Sequence, residues 1–524
     1  MRRKFYLGFA IVLIALGLLL AIWHSLSVFV LLLIILAAVW AYDVTQKKHA
    51  ILRNFPILGH IRFVLEFFRP EIQQYFVAGD TEEKPFDRLT RDVIYQRAKK
   101  MQDTVPFGTE RDIMAEGYEW VLHSLAPKHV SEVEPRITVG GPECKQPYSA
   151  SRLNISAMSF GALSHNAVLA LNKGAKIGGF YQNTGEGGLS KYHLAGGGDI
   201  VFQVGTGYFG CRSDSGDFDV EKFKEKAAHE QVKMIEIKLS QGAKPSHGGI
   251  LPAAKLTQEI ADIRGVPMGH DVLSPPAHTA FDSPKGLLEF VKQLRELSHG
   301  KPVGFKLALG RRSEFLGICK AMVETKILPD FITVDGAEGG TGAAPLEYTH
   351  HVGTPLRDAL IYVHNALIGI GVRDKIRLIA SGKVASGFDM VEKLALGADM
   401  CNAARAMMMS IGCIQSRQCN TNACPTGVAT QNKRLYKALD VDDKKVRVAN
   451  FHEETTHAFM ELIGAMGLDN PSDLNPAHVM RRVAQDDVRP YSEIYEYLKQ
   501  GALLKDKLPK SFEAEWKLAE VDSF

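Results

Sequence analysis

Apolar positions dominate the first forty-odd residues. From Phe5 to Tyr42 there is no Asp, Glu, Lys or Arg, and His24 is the only potentially charged side chain. A bilayer core takes about 20 apolar residues per helix. The run is therefore long enough for two passes, Phe5–Trp23 and Ser27–Tyr42, turning at His24-Ser25. Arg2-Arg3-Lys4 and Lys47-Lys48 flank its outer ends. The positive-inside rule then places both ends in the cytoplasm, which predicts a cytoplasmic-membrane anchor with the rest of the chain facing the cytoplasm. A single tilted anchor is one rival reading. A signal peptide is another, although its apolar region is normally shorter and no small-residue cleavage site stands out.

After residue 45 the pattern changes twice. Residues 46–150 are charged and aromatic with several prolines, and "RNFPILGHIRFVLEFFRPEIQQYF" reads as a loop followed by amphipathic helices close to the membrane. From 151 short apolar runs alternate with stretches of helical period. Candidate strands are Leu153–Met158, Gly179–Gln182, Ile200–Val204, Met234–Leu239, Val303–Leu307, Phe331–Val334, Ile376–Ala380 and Met400–Ala404. Continuously apolar strands joined by helical crossovers imply a parallel sheet. Eight such units suggest an α/β fold, a (β/α)8 TIM barrel, over 151–435; a doubly wound sheet is the alternative. The segment Leu239–Val303 is long for one crossover and predicts an inserted loop. Residues 436–524 look helical.

Many of the 47 glycines fall just after a candidate strand, as in "SFGALS", "NTGEGG", "VGTGYFG", "SQGAKPSHGG", "DGAEGGTGAAP" and "SGKVASG". In a barrel these positions form the ligand-binding rim, where glycine lets backbone amides approach a phosphate. No G-x-G-x-x-G follows a first strand with an acidic residue about twenty positions on, so a dinucleotide domain is not indicated. The formal net charge is +3, and no basic cluster alternates with aromatics, which argues against nucleic acid. Of the seven cysteines, Cys413, Cys419 and Cys424 stand together in "GCIQSRQCNTNACP". That grouping suits a reducing compartment and a local metal or catalytic role.

Taken together, "AMSFGALS", "NTGEGG", "IKLSQGAKPSHGGILP", "GGTGAAPL" and "GCIQSRQCNTNACPTGVATQ" resemble the FMN-binding synthase domain of glutamate synthases, in the family's order. The apolar N-terminus and the segment after it are similar to a shorter branch of FMN-binding glutamate synthase family proteins. The resemblance implies a 3Fe-4S cluster on Cys413, Cys419 and Cys424, since thiolates are the usual iron–sulfur ligands. A zinc site completed by a distant residue and unligated thiols are the alternatives. It implies FMN lying against Ala157-Met158-Ser159, with Gln203 and Lys306 at the polar edge of the ring. The phosphate would lie in the amides of Ser381-Gly382-Lys383 and Ala404-Arg405, with Gly339-Gly340-Thr341 on the preceding rim.

For the substrate, the resemblance assigns Lys244 and Arg264 to 2-oxoglutarate. It gives Lys238 the role of proton donor to 2-iminoglutarate, and puts Glu186 by the exit of an ammonia path, where it would deprotonate ammonium. Two departures bear on this. The family's Gln and Glu are here Ile250 and His247, and an aliphatic side chain cannot hydrogen-bond a keto acid. The chain also starts Met1-Arg2-Arg3 without the amidotransferase domain of full glutamate synthases. Ammonia is then expected from free ammonium or a separate glutaminase subunit, and electrons from a ferredoxin-like donor; a homo-oligomer is compatible. The expected activity is reductive amination of 2-oxoglutarate to glutamate. A flavin-dependent amino-acid dehydrogenase, an amine-transferring synthase on another acid and a non-catalytic membrane redox relay are the competing readings.

Overall fold

The computed structural model describes residues 2–22, 27–101, 104–129 and 134–524, which divide into two units, Met1–Pro85 and Phe86–Phe524. In the first, helices Arg2–Ile22 and Ser27–Thr45 carry the apolar run. The expected turn at His24-Ser25, with Trp23, lies outside the described residues. Val28–Thr45, with a mean hydropathy of 2.4, is the one helix among the described residues long and apolar enough to cross a membrane; Gly8–Leu19 is a shorter apolar stretch. Near its end the buried Asp43 accepts hydrogen bonds from the Ile57 amide (2.8 Å) and His60 Nε2 (2.9 Å). These fix the start of the amphipathic helix Gly59–Ile72.

The second unit is built on a closed barrel of eight parallel strands. They are β1 (Leu153–Ile155), β2 (Tyr181–Asn183), β3 (Asp199–Val204), β4 (Val232–Lys238), β5 (Val303–Leu307), β6 (Phe331–Asp335), β7 (Arg377–Ser381) and β8 (Met400–Ala403). All eight expected strands are present. Each is buried on both faces, which is why their sequences run apolar without alternation. The Leu239–Val303 crossover carries the expected insertion: a two-stranded hairpin of Ile250–Leu251 with Val272–Leu273, and helix Gln258–Arg264.

Local signals place the surrounding helices. Ser164 caps His165–Gly178 by accepting from the Ala167 amide, and Gly179 ends it in the left-handed region at φ +70°, the usual cap chemistry at each end. Asp440 caps Val441–Ala465, the longest helix of this unit, accepting from two amides. That helix lies against His165–Gly178 so closely that a Cβ on Gly174 would fall 2.5 Å from Val448 Cβ.

A hairpin, Arg136–Val139 with Tyr148–Ser151, closes the N-terminal end of the barrel. Its Val139, Tyr148 and Ala150 join Tyr181, Val201, Met234, Phe331, Ile379 and Met400 in a separate interior core. The flanking segments are not only helical. Val479–Ala484 and Asp487–Pro490 form a hairpin that pairs with Glu119–Val121 in a three-stranded antiparallel sheet. Arg357 ties that sheet to the barrel helices by pairing with both Glu119 (2.5 Å) and Glu392 (2.5 Å).

Candidate active site

Lys238 ends β4, and its register partner on β5 is Lys306. Two cations side by side on one face repel, and each is supplied with its own carboxylate. Lys238 Nζ donates to Glu186 Oε1 at 2.6 Å and to Gln241 Oε1 at 3.1 Å. Lys306 pairs with Asp335 Oδ2 at 3.1 Å, and that same carboxylate oxygen accepts the Gly242 amide at 2.8 Å. All four charged side chains are at most 15% exposed.

Glu186 comes from the loop after β2. Gly205 and Gly249 make room for it, since a Cβ on either would fall within 2.7 Å of its side chain. Its second oxygen accepts from Ser274 Oγ at 3.3 Å. Burial pushes its carboxyl up, but Lys238, with Arg264 and Lys244 beyond it, outweighs burial and holds it below the usual carboxylate range. The Lys238 backbone is fixed from behind. His278 Nε2 lies 2.9 Å from the Lys238 carbonyl, and Nδ1 lies 3.1 Å from the Tyr208 hydroxyl. Burial lowers His278 to about 4, so the ring is neutral. The nitrogen facing the carbonyl must carry the proton, and the other accepts from Tyr208.

Lys244 and Arg264 are charged differently from that pair. Lys244 is buried and donates to the Ala343 carbonyl at 2.8 Å. Arg264 is buried and reaches the Phe160 carbonyl (3.2 Å) and Ser159 Oγ (3.5 Å), its Nε meets no partner, and its guanidinium lies 5.1 Å above the Phe209 ring. Neither has a carboxylate within ion-pair distance among the described residues. Burial lowers Lys244 to about 8 and Arg264 to about 10, with Glu186 opposing both shifts. Gly187 allows the approach, because a Cβ there would fall 2.9 Å from Arg264 Nη2 and 2.7 Å from Ser159 Cβ. Lys238 and Glu186 share a small cavity with Gln241, Ser246, His247 and Gly249.

The expected flavin residues line the same rim. Ala157-Met158-Ser159 follows β1, and a Cβ on Gly185 would meet the Ser159 amide at 2.7 Å, so the loops after β1 and β2 are in contact. Gln203 donates inward, from Nε2 to Glu236 Oε1 (2.7 Å). Asn183 donates to the same oxygen (2.7 Å) and Thr333 to the other (2.6 Å). Ser381-Gly382-Lys383 turns sharply after β7, with φ +152° at Gly382 and +49° at Lys383. Ala404 precedes helix Arg405–Ser410. Arg405 donates to the Glu338 carbonyl (2.7 Å) and stacks over Phe86 at 5.0 Å, while a Cβ on Gly340 would fall 2.9 Å from Arg405 Cδ. Thr341 lies on the exposed part of that loop. Glycines without room for a side chain, amides after β7 and a cation beside them suit a phosphate-bearing flavin.

The cysteine loop is held by bonds to residues distant in the sequence rather than by regular structure. Gln415 exchanges two hydrogen bonds with the Phe86 backbone (3.1 and 3.0 Å), and Tyr95 OH donates to the Cys413 carbonyl (2.7 Å). Ser164 Oγ donates to the Gly427 carbonyl (2.7 Å), and Gln431 Nε2 to the Leu163 carbonyl (2.8 Å). Within the loop, Gln415, Arg417 and Asn422 lie in the left-handed region. Burial raises Cys413 to about 12 and pushes Cys419 up; each feels the charge of Cys424. Among the described residues no three His, Cys, Asp or Glu side chains converge closely enough for a single ion. Three thiols on one loop are of the donor type that iron–sulfur groups take.

Sequence reasoning missed Glu236, Asp335, Ser274 and Lys255. Asp335 closes a strand just before a glycine-rich loop, and Glu236 lies two residues before Lys238 on the same strand face; both signals were readable. Ser274 and Lys255 come from the insertion, whose path the sequence does not specify.

The family model for the conserved region in glutamate synthase matches residues 95–469. The glutamate synthase large subunit-like protein YerD of Bacillus subtilis (strain 168) is 38% identical over 86% of this chain and 93% of its own length. The archaeal glutamate synthase [NADPH] of Methanocaldococcus jannaschii is 37% identical over 61% of this chain and 60% of its own length. A mandelate oxidase structure with 2-hydroxy-phenylacetamide aligns with 77% of this chain and 96% of its own, at 14% identity and a TM-score of 0.42.

Proposed function

Because the chain belongs to the glutamate synthase family, we propose that it is an FMN- and iron–sulfur-dependent oxidoreductase that reduces 2-iminoglutarate, formed from 2-oxoglutarate and ammonia, to glutamate. The supporting observation is the charge of the site. Glu186 is ion-paired with Lys238, which leaves Lys244 and Arg264 as two buried cations with no carboxylate at ion-pair distance among the described residues. Buried unpaired charge is costly, and a dianion removes that cost. A 2-oxo dicarboxylate meets both demands, and the guanidinium can grip one carboxylate bidentately.

FMN, when bound, supplies the hydride that C2 of the imine receives. The chain's own residues do the rest. Lys244 and Arg264 bind the two carboxylates and fix C2. Lys238 gives a proton from Nζ to the imine nitrogen, and Glu186 keeps that ammonium oriented and charged until the transfer. A carboxylate held below its usual range is a weak base, so Glu186 serves better to orient Lys238 than to deprotonate ammonium, and the imine forms from free ammonia. Cys413, Cys419 and Cys424 would hold the cluster through which electrons arrive from a ferredoxin-like donor; the M. jannaschii relative is named for NADPH. The apolar helix Val28–Thr45 and the flanking lysines support a membrane anchor with this unit in the cytoplasm.

Reduced protein given 2-oxoglutarate with ammonium or glutamine should form glutamate; no product with any donor would sink the proposal. One observation favours a second substrate. His247 packs edge-on against Tyr348 at 5.1 Å in the segment where the family carries Glu, and Ile250 stands nearby in sequence. A screen of 2-oxo acids that reoxidise the reduced flavin separates the two readings.

A further inference from the structure

Lys255 lies in the short turn Ala253–Lys255 of the insertion and is buried. Its Nζ donates to the Ala162 carbonyl at 2.5 Å and to the Cys419 carbonyl at 3.2 Å. Ala162 belongs to the loop after β1, the expected flavin loop, and Cys419 is the middle cysteine of the triplet. The adjacent Ala254 carbonyl accepts from Asn422 Nδ2 at 2.6 Å, and Asn422 Oδ1 accepts from Thr430 and the Gln431 amide. The turn therefore binds the cysteine loop at two points and the flavin loop at one.

The charge of Lys255 has no carboxylate within ion-pair distance among the described residues. Its charged neighbours are Cys419 and Cys424 and, with like sign, Arg264. Two carbonyls do not neutralise an ammonium, whereas thiolates do. Three thiolates brought into this buried loop carry three negative charges, and Lys255 is the cation fixed beside them.

We infer that Lys255 is a positioning residue that sets the cluster's potential, acting as the fixed counter-charge of the cysteine loop and as the strut between that loop and the flavin loop. This rests on reading Cys413, Cys419 and Cys424 as cluster ligands. A positive charge close to a metal cluster favours the form that has gained an electron. Its removal lowers the reduction potential and leaves more of the cluster oxidised at any fixed potential.

The test is an EPR-monitored redox titration of the purified, cluster-loaded protein beside Lys255→Gln and Lys255→Arg. Gln keeps a donor for the two carbonyls and removes the charge; Arg keeps the charge. At the wild-type midpoint, the oxidised-to-reduced ratio should rise about tenfold in Lys255→Gln, a shift of about 59 mV for one electron. Lys255→Arg should stay at the wild-type midpoint. If Lys255→Gln does not fold, Lys255→Met, apolar and of similar length, carries the same titration. An unmoved midpoint with unchanged iron content overturns the role of Lys255. A wild-type protein with no three-iron signal overturns the cluster reading instead, so the two failures are distinct.

Discussion

Lys238 Nζ and Glu186 Oε1 lie 2.6 Å apart, joining the end of one barrel strand to the loop after another. Breaking a buried pair strands the remaining charge. Lys238→Met should lower kcat on the order of 10²–10⁴-fold, the range for a lost proton donor. The dissociation constant for 2-oxoglutarate, read by calorimetry, should rise as well, because the stranded Glu186 carboxylate opposes a dianion, and adding Glu186→Gln should bring it back towards wild type while kcat stays low. Glu186→Gln should lower kcat less, because the ammonium survives but loses its orientation.

Lys244 gives the site a pH limb. Burial lowers it to about 8, below an unfolded value of ~10.4, so the charged side chain costs folding stability at neutral pH. That cost is relieved as pH rises from about 8 towards ~10.4. Carboxylate binding needs the charge. KM for 2-oxoglutarate should therefore climb above pH about 8, and Lys244→Arg should flatten the climb because guanidinium stays protonated. Initial-rate profiles from pH 6 to 10 decide it.

Arg264→Lys is not a conservative change at a two-pronged contact. With Arg264 assigned to the carboxylate distal to the keto group, the change should raise KM for a 2-oxo dicarboxylate on the order of tenfold or more, while a monocarboxylate 2-oxo acid should be far less affected. A shared loss on both substrates would mean that Arg264 supports the loops rather than the distal carboxylate.

Ile250→Gln places a polar side chain where the resemblance to the family expects one. A net hydrogen bond contributes about 0.5–1.5 kcal/mol, so kcat/KM for 2-oxoglutarate should rise about 2–10-fold. No gain, with a gain on a different 2-oxo acid lost, would point to the second substrate reading.

Cys413→Ser, Cys419→Ser and Cys424→Ser should each abolish the three-iron EPR signal and leave the flavin absorbance bands in place, because the flavin loops hold together without the cysteines. Loss of both spectra together would show that the cysteine loop is needed for the rim as a whole.

The barrel was legible because its strands are buried on both faces, so each reads as an uninterrupted apolar run. The sheet formed by Glu119–Val121 and the 479–490 hairpin was not. Its strands are short and half-exposed, and their pairing joins opposite ends of the unit, a relation that local pattern does not carry. Lys238, Lys244, Arg264 and Glu186 were named through the resemblance and do meet in one place. Their division into an ion pair and two cations with no carboxylate at that distance among the described residues came only from the fold, as did the partners of Gln203 and Lys306.

The bonds from Phe86 to Gln415 and from Tyr95 to Cys413 also set an order of events. A ribosome makes Phe86 and Tyr95 long before the cysteines, and such distant contacts form late because the intervening chain must close first. The clasp that shapes the cysteine loop exists only once the barrel between them is finished. On the proposed reading of the three cysteines as cluster ligands, iron and sulfide loading is then a step of maturation that follows synthesis of the barrel.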